Sequence, residues 1–467
     1  MSDPIPAGTP AQFRSLFRSL VLDPALLLGR VFAAEHLAVA VAQEVGTTCD
    51  RIFTPLVTVA LFLSQVLSDD HSCRGAVARL LAWRAARGLP PCSPDTGAYC
   101  KARRRLPEAV LPRLVRDTAD RLQDGAPADW LWQGRRVVLI DGTCVSMPDT
   151  AENQAAYPQH GGQEPGCGFP IARIVVLLSL ATGAALDAAV GPRKGKLSGE
   201  DALLRALHGR LRPGDVALAD RYYSSFHEVA LLRARGVDVV MRQHCGRSTD
   251  FRRGARLGRE DHLVVWHRRR SRPAWMTPEE FAALPRELLM REVRVRVAQR
   301  GFRTRSFVVV TTLLDPEAFP PAELAAAYRL RWNAELDIRS IKQTMKMDVL
   351  RCKTPEMVHK EVWAHLLAYN LVRGVMAEAG RRHGVAPRRL SLQGARQTVE
   401  AFRGQTVGAG AADAEGLAEA ALRAVAYHRV GGRPDRVEPR VVKRRPKAYP
   451  RMHVPRRLAR SRLMRVA

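Results

Sequence analysis

Three acidic residues stand where phosphodiester chemistry could use them. Two of them close apolar runs: "VVLID" ends in Asp141 and "VALAD" ends in Asp220. An Asp just past a buried strand often only caps the next turn. Two such ends side by side would bring two carboxylates to one sheet edge, at considerable electrostatic cost. A divalent cation removes that cost. The third acid, Glu335, lies in "YRLRWNAELDIRSIKQTMKMDVLRC" (328–352), among Arg331, Arg339 and Lys342. At helical pitch, Tyr328, Arg331, Glu335 and Lys342 share an arc of roughly 60°. Ala327, Leu330, Ala334, Ile338, Ile341 and Met345 form an apolar stripe roughly 90° away. Arg329, Asn333, Asp337, Ser340 and Thr344 form a third, polar stripe, expected to face water. The segment reads as one long helix. Opposite charges at these spacings also decorate ordinary surface helices, so the rest of the chain has to decide.

With Glu335 as third ligand, such a set holds two Mg²⁺ ions about 4 Å apart. One would activate a water or a 3′-hydroxyl, and the other would stabilise the leaving oxygen. Arg331 and Lys342 would then hold phosphates beside the scissile one, and Tyr328 would donate to a phosphate oxygen.

The elements that must position these residues differ along the chain. Residues 11 to about 125 read as helical, and "FLSQVLSDDHSCRGAVARLLAWRAARG" has apolar and basic residues at helical spacing. Ser93, Pro94 and Asp95 read as a helix start, leading into "YCKARRRL" with Arg103 and Arg104. A short helix, a turn and a basic helix suit a DNA-reading module, and equally a solvated basic helix. From 136 to 245, "RRVVLID", "IARIVVLLSL", "DVALAD" and "VDVVMRQ" alternate with helical stretches, an α/β pattern. "ATGAALDAAVGP" reads as a hairpin return. Residues 246–312 read as basic and mostly β, with a helix only near 277–285. A second amphipathic helix follows 352. Residues 431–467 hold 13 Lys/Arg against two acids and are expected to be extended, lying along a phosphate backbone or simply solvated.

A net charge of +28 with pI near 10.8 implies a polyanionic partner, most simply nucleic acid. A hydrophobic fraction of 46% excludes a disordered chain. Eight cysteines without C-x-x-C or zinc spacing read as reduced thiols. The N-terminus lacks a signal pattern. The apolar stretches 53–67 and 171–190 are too short or too interrupted to span a bilayer. A soluble, cytoplasmic protein is expected.

The order Asp141, Asp220, Glu335 resembles the DDE transposases. Y-x₂-R-x₃-E-x₆-K, filled by Tyr328, Arg331, Glu335 and Lys342, is the signature of the insertion-sequence-four family of bacterial transposases. "DGT" at 141–143, "DRYY" at 220–223 (with Arg221 as a further candidate DNA contact) and "KTPEMVHKEVWAHLLAYNLVR" at 353–373 are similar to that family's sequence. The likeness covers about 40 to 455. It implies an α/β fold: an RNase H-like catalytic core, a mixed sheet flanked by helices, interrupted by a mostly β insertion and preceded by an all-helical domain. The corresponding segments are a helical DNA-binding domain (1–125), the first part of the core (126–245), the insertion (246–312), the second part of the core (313–400) and a helical segment with a basic tail (401–467). The resemblance further implies cut-and-paste transposition at terminal inverted repeats, with Mg²⁺ or Mn²⁺, two ions per site. A DNA hairpin would be an intermediate, the repeats and the target duplex the partners, and a synaptic homodimer the assembly. A hairpin needs a flipped base held by an aromatic. By its distance ahead of Tyr328, Phe307 matches the position of a Trp with that role in one relative, and Trp266 and Trp275 are rivals. Two other readings stay open: an RNase H-like nuclease without strand transfer, and a catalytically inactive, domesticated DNA-binding protein.

Overall fold

The computed structural model describes residues 34–45, 52–195, 198–297, 306–406, 411–431 and 450–466. The chain forms two compact units, each drawn from three stretches: Met1–Gly134 with Leu178–Asp187 and Leu336–Val430, and Arg135–Leu177 with Ala188–Glu335 and Gly431–Ala467.

The first unit is helical. Helix Pro55–Leu67 starts on Thr54, whose side chain accepts from Val57 N–H, with Pro at the first position. The stretch read as one helical run breaks at 68–72, where Ser68 caps one helix and Ser72 starts Cys73–Ala85. Helix Pro355–His383 is buried over most of its length and ends on Gly384 at φ 62°. Its polar residues are matched inside the unit. The Asn370 amide accepts from Ala185 N–H at 2.8 Å and donates to Ala185 O at 2.9 Å. Tyr369 donates to Gly183 O at 2.8 Å. The expected start at Ser93–Pro94 is corrected: the basic helix is Gly97–Arg105, with Thr96 before it. Ser93 Oγ instead accepts from Asp95 N–H at 3.2 Å, a local turn that competes with helix initiation.

The second unit holds most of a mixed sheet with nine strands among the described residues, β1 (Val137–Ser146), β2 (Ile171–Ser179), β3 (Ala185–Pro192), β4 (Val216–Ala219), β5 (Asp238–Arg242), β6 (Ala255–Gly258), β7 (Asp261–His267), β8 (Glu287–Arg296) and β9 (Ser306–Thr311); Leu178–Asp187, the turn between β2 and β3 with its flanks, belongs to the first unit. Their order is β3-β2-β1-β4-β5-β9-β8-β7-β6. β1, β4 and β5 run parallel, and their near-continuous apolar sequences suit strands covered on both faces. β2 and β3 form the hairpin read from the sequence, with Gly183 at φ 78° in the turn. The described residues of 246–312 hold four strands, β6 to β9, and one helix, Pro278–Ala283, closed by a capping box between Thr277 and Glu280. Its strands extend the same sheet, because β9 pairs antiparallel with β5. The basic tail, expected to be extended, carries a helix, Arg456–Val466. Its Arg, Leu, Ala and Met are strong helix formers; residues 432–449 lie outside the described residues. Among the described residues, no helix is long and apolar enough to cross a membrane.

Candidate active site

The parallel register of β1 and β4 decides where the first two acids stand. Its last pair is Ile140 with Ala219, so Asp141 and Asp220 are the next residues on neighbouring strands. Asp141 is not past the end of its strand, since β1 runs on to Ser146; it is the first residue beyond the parallel pairing. Each carboxylate is oriented by the backbone. Gly142 N–H donates to Asp141 Oδ1 at 2.8 Å, and Tyr222 N–H donates to Asp220 Oδ1 at 2.8 Å.

Glu335 reaches this place from a broken helix. Helix Pro321–Leu330 stops, and Trp332–Arg339 starts after Arg331. At the joint the bonds tighten to three residues: Arg331 N–H to Tyr328 O at 3.1 Å and Ala334 N–H to Arg331 O at 2.9 Å. A π turn, Ser340–Thr344, follows, with Met345 N–H donating to Ser340 O at 2.9 Å. Lys346 at φ 55° lies just beyond it. The single long helix read from the sequence is thus three short pieces, and Lys342 sits on the π turn in the helical unit. The polar stripe is also corrected. Asp337 is 1% exposed and is met by Arg373 and, at 2.5 Å, by Arg388.

Arg331 lies between two of the acids. Its Nη2 is 2.5 Å from Glu335 Oε1 and its Nη1 is 3.9 Å from Asp141 Oδ2. Burial lifts the Asp141 carboxyl to about 6; the Gly142 N–H and Arg331 oppose that rise, and Asp220 and Glu335 add to it. Burial works against the Arg331 charge, but Glu335, Tyr328 and Asp141 outweigh it and its pKa is raised. Tyr328 is 9% exposed, and burial pushes its hydroxyl up to about 12. Its ring packs on Phe307 at 5.2 Å between centroids, and the Arg242 guanidinium lies 5.4 Å from the Phe307 ring centre.

The other candidates separate. Arg221 and Arg104 are exposed. Arg103 is not available to DNA: it is 8% exposed, bonded to Gln65 Oε1 at 3.3 Å and Cys73 Sγ at 3.2 Å, and stacked on Phe62 and Tyr99. Trp266 cannot hold a base, being 2% exposed, bonded to Glu292 at 2.9 Å and covered by Arg247. Trp275 is half-buried under Arg205, 3.7 Å from its ring centre. Sequence reasoning did not single out Glu200 or its contact with Tyr223, whose hydroxyl donates to Glu200 Oε2 at 3.2 Å.

The donor set of Asp141, Asp220 and Glu335 is all oxygen, which suits a hard divalent ion. Asp141 feels the charge of the other two, and the Arg331 guanidinium stands between Asp141 and Glu335 as a cation would. As they stand, no three His, Cys, Asp or Glu among the described residues converge closely enough to share one ion.

The family model for the transposase DDE domain matches residues 132–371. The chain is 30% identical over 362 residues to the transposase InsG for insertion sequence element IS4 of Escherichia coli, covering 76% of this chain and 77% of that protein. It is 25% identical over 271 residues to the Escherichia coli transposase for insertion sequence element IS421, covering 52% and 66%. A chain of the piggyBac transposase synaptic complex with hairpin DNA aligns at a TM-score of 0.41 and 9% identity, over 89% of this chain and 85% of that one, too distant a likeness to carry a structural argument. The chain belongs to the DDE transposases, enzymes that cut and transfer DNA. Within them its type is that of the insertion-sequence transposases.

Proposed function

We propose that Asp141, Asp220 and Glu335 are the catalytic triad of an RNase H-like core that cuts and moves DNA at terminal inverted repeats. The observation that carries this reading is the register: neighbouring parallel strands end their pairing at Ile140 and Ala219, each followed at once by an acid. The raised Asp141 carboxyl, with Asp220 and Glu335 among its causes, supports their acting together. The strand order β3-β2-β1-β4-β5, with β1, β4 and β5 parallel, supports the core. When bound, two Mg²⁺ or Mn²⁺ ions would polarise the scissile phosphate and lower the pKa of the attacking water.

The chain's own residues do the rest. Arg331 and Lys342 neutralise phosphates beside the scissile one, and Tyr328 donates to a phosphate oxygen. Arg221 and Arg104 contact the DNA backbone. A first displacement at phosphorus by water frees a 3′-hydroxyl. That hydroxyl displaces the opposite strand's phosphodiester oxygen and closes a hairpin. Phe307, edged by Arg242, holds the unstacked base. The working assembly is a synaptic homodimer on the repeats and target duplex, in the cytoplasm.

The test is cleavage of the element's terminal repeat in Mg²⁺ or Mn²⁺, wild type against Glu335→Gln, on a denaturing gel. A nick followed by a slow hairpin band, absent in the variant, is expected. Cleavage without joining of a 3′-hydroxyl end to a target duplex would make it a nuclease. Binding without any cut would make it a DNA-binding protein.

A further inference from the structure

Gly142 follows Asp141, and its place there is not explained by backbone freedom, because its φ lies outside the left-handed region. What it provides is room. A Cβ at this position would lie 2.6 Å from the carboxyl carbon of Glu200, and 2.8 and 2.9 Å from its two oxygens. Carboxylate and backbone are therefore in direct contact.

Glu200 is the first residue of helix Glu200–Leu207. The positive end of a helix favours an acid there, which accounts for the residue type but not for where its side chain lies. Three groups hold that side chain. Gly142 is under it. Tyr223, 1% exposed, donates its hydroxyl to Oε2 at 3.2 Å. Arg173 Nε is 3.9 Å from Oε1. Tyr223 stands among the acids: burial first, then Glu200, Asp141 and Asp220, raise its pKa, so the hydroxyl keeps its proton and serves as a donor. It lies three residues after Asp220, so one brace reaches both strand ends.

We propose that Glu200 is a positioning residue for DNA cleavage: braced by Tyr223, its carboxylate seats the Gly142 backbone, whose N–H donates to Asp141, and so fixes Asp141 at the site. This rests on the triad reading above. A half-buried acid packed on a glycine Cα cannot be replaced by a water without loosening that N–H. The Asp141 carboxylate then samples orientations that neither cleave nor hold an ion well, a loss of preorganisation rather than of DNA affinity.

The experiment uses the full chain with terminal-repeat DNA, reading the nicking rate, the KM for DNA, Mn²⁺ binding by electron paramagnetic resonance, and a thermal melt. Glu200→Ala and Gly142→Ala are each expected to lower kcat about a hundredfold with KM little changed. Mn²⁺ binding should weaken about tenfold, with the melt retained. Glu200→Gln keeps size and an acceptor for Tyr223 and should recover all but about threefold of the rate. The decisive comparison is the double variant. Removing the carboxylate makes room for the Cβ, so Glu200→Ala with Gly142→Ala should be no worse than Glu200→Ala alone. Multiplying defects, or wild-type rate and Mn²⁺ binding in Glu200→Ala, would overturn the proposal. Asp141→Asn separates the two levels. If that variant still cuts, the triad reading fails and takes this inference with it; if it is dead while Glu200→Ala is normal, only this inference fails.

Discussion

Buried charge is treated in opposite ways around Asp337 and around Asp141. Around Asp337 the charge is matched. Asp337 is clasped by Arg373 and Arg388, and Arg388 gives its Nε to Leu180 O at 2.7 Å. Glu361 takes the N–H groups of Arg351 at 3.0 Å and Cys352 at 2.9 Å. Lys360, 1% exposed, donates to Arg104 O at 2.8 Å. Around Asp141 one guanidinium, that of Arg331, stands between two acids, Asp141 and Glu335, and the Asp141 carboxyl is lifted to about 6. Charge that serves the fold is neutralised by the fold. The charge around Asp141 is left for something else to neutralise, as the proposed triad requires.

Four measurements test this contrast. The largest effect is expected at Glu335. Glu335→Gln should lower strand cleavage at least about a thousandfold, with the thermal midpoint unchanged or raised because one crowded charge is gone. A variant that unfolds would make Glu335 a structural acid like Asp337. Next is Asp337→Ala, which strands the buried Arg373 and the half-buried Arg388 and should destabilise the chain by about 3–5 kcal/mol in urea unfolding; a change below about 1 kcal/mol would deny the contrast.

The third concerns pH. His71 and His365 stack at 5.4 Å in the helical unit. Burial, then Arg351 and Lys346, lowers His71 to about 4; burial, then His71, lowers His365 to about 3. The unfolded chain therefore binds these protons first. Stability is full above about 6.5 and falls as the pH drops towards about 4, by about 1.4 kcal/mol per pH unit for each histidine. Melts from pH 7.5 to 4.5 should show this slope, and His365→Gln should flatten it. An equal slope in that variant would locate the acid sensitivity elsewhere. The smallest effect is expected at Arg104. Arg104→Ala should reduce the slope of log K against log salt by about one, and Arg103→Ala should lower stability instead. Equal salt slopes in wild type and Arg104→Ala would remove Arg104 from the interface.

What could be read from the sequence follows the range of the forces involved. An apolar run that stops at an acid is a local pattern, so Asp141 and Asp220 were legible before any strand was paired. Alternation marked β6 to β9 as strands, but their joining the core sheet depends on β9 meeting β5, a pairing no local pattern carries. Arg103 and Asp337 were misread as solvated because their partners, Gln65 for one, Arg373 and Arg388 for the other, are distant in sequence. The break at Arg331 and the π turn at 340–344 contain no Gly or Pro to announce them. Glu200 looked like an ordinary first-turn acid; its contact with Gly142 exists only once β1 and the helix after β3 are assembled.

The composition of the helical unit sets the timing of synthesis. It needs residues up to 134, then 178–187, then 336–430, so it cannot close until the last of these has left the ribosome. At typical elongation rates, residues 135 to 430 take about 15–60 s. For that interval the apolar face of helix Pro55–Leu67 waits for helix Pro355–His383. Nascent chains halted before residue 336 should be cut by protease within the first helices, while chains released after 430 resist. A newly made transposase thus spends about 15–60 s with that apolar face uncovered before it can act on DNA.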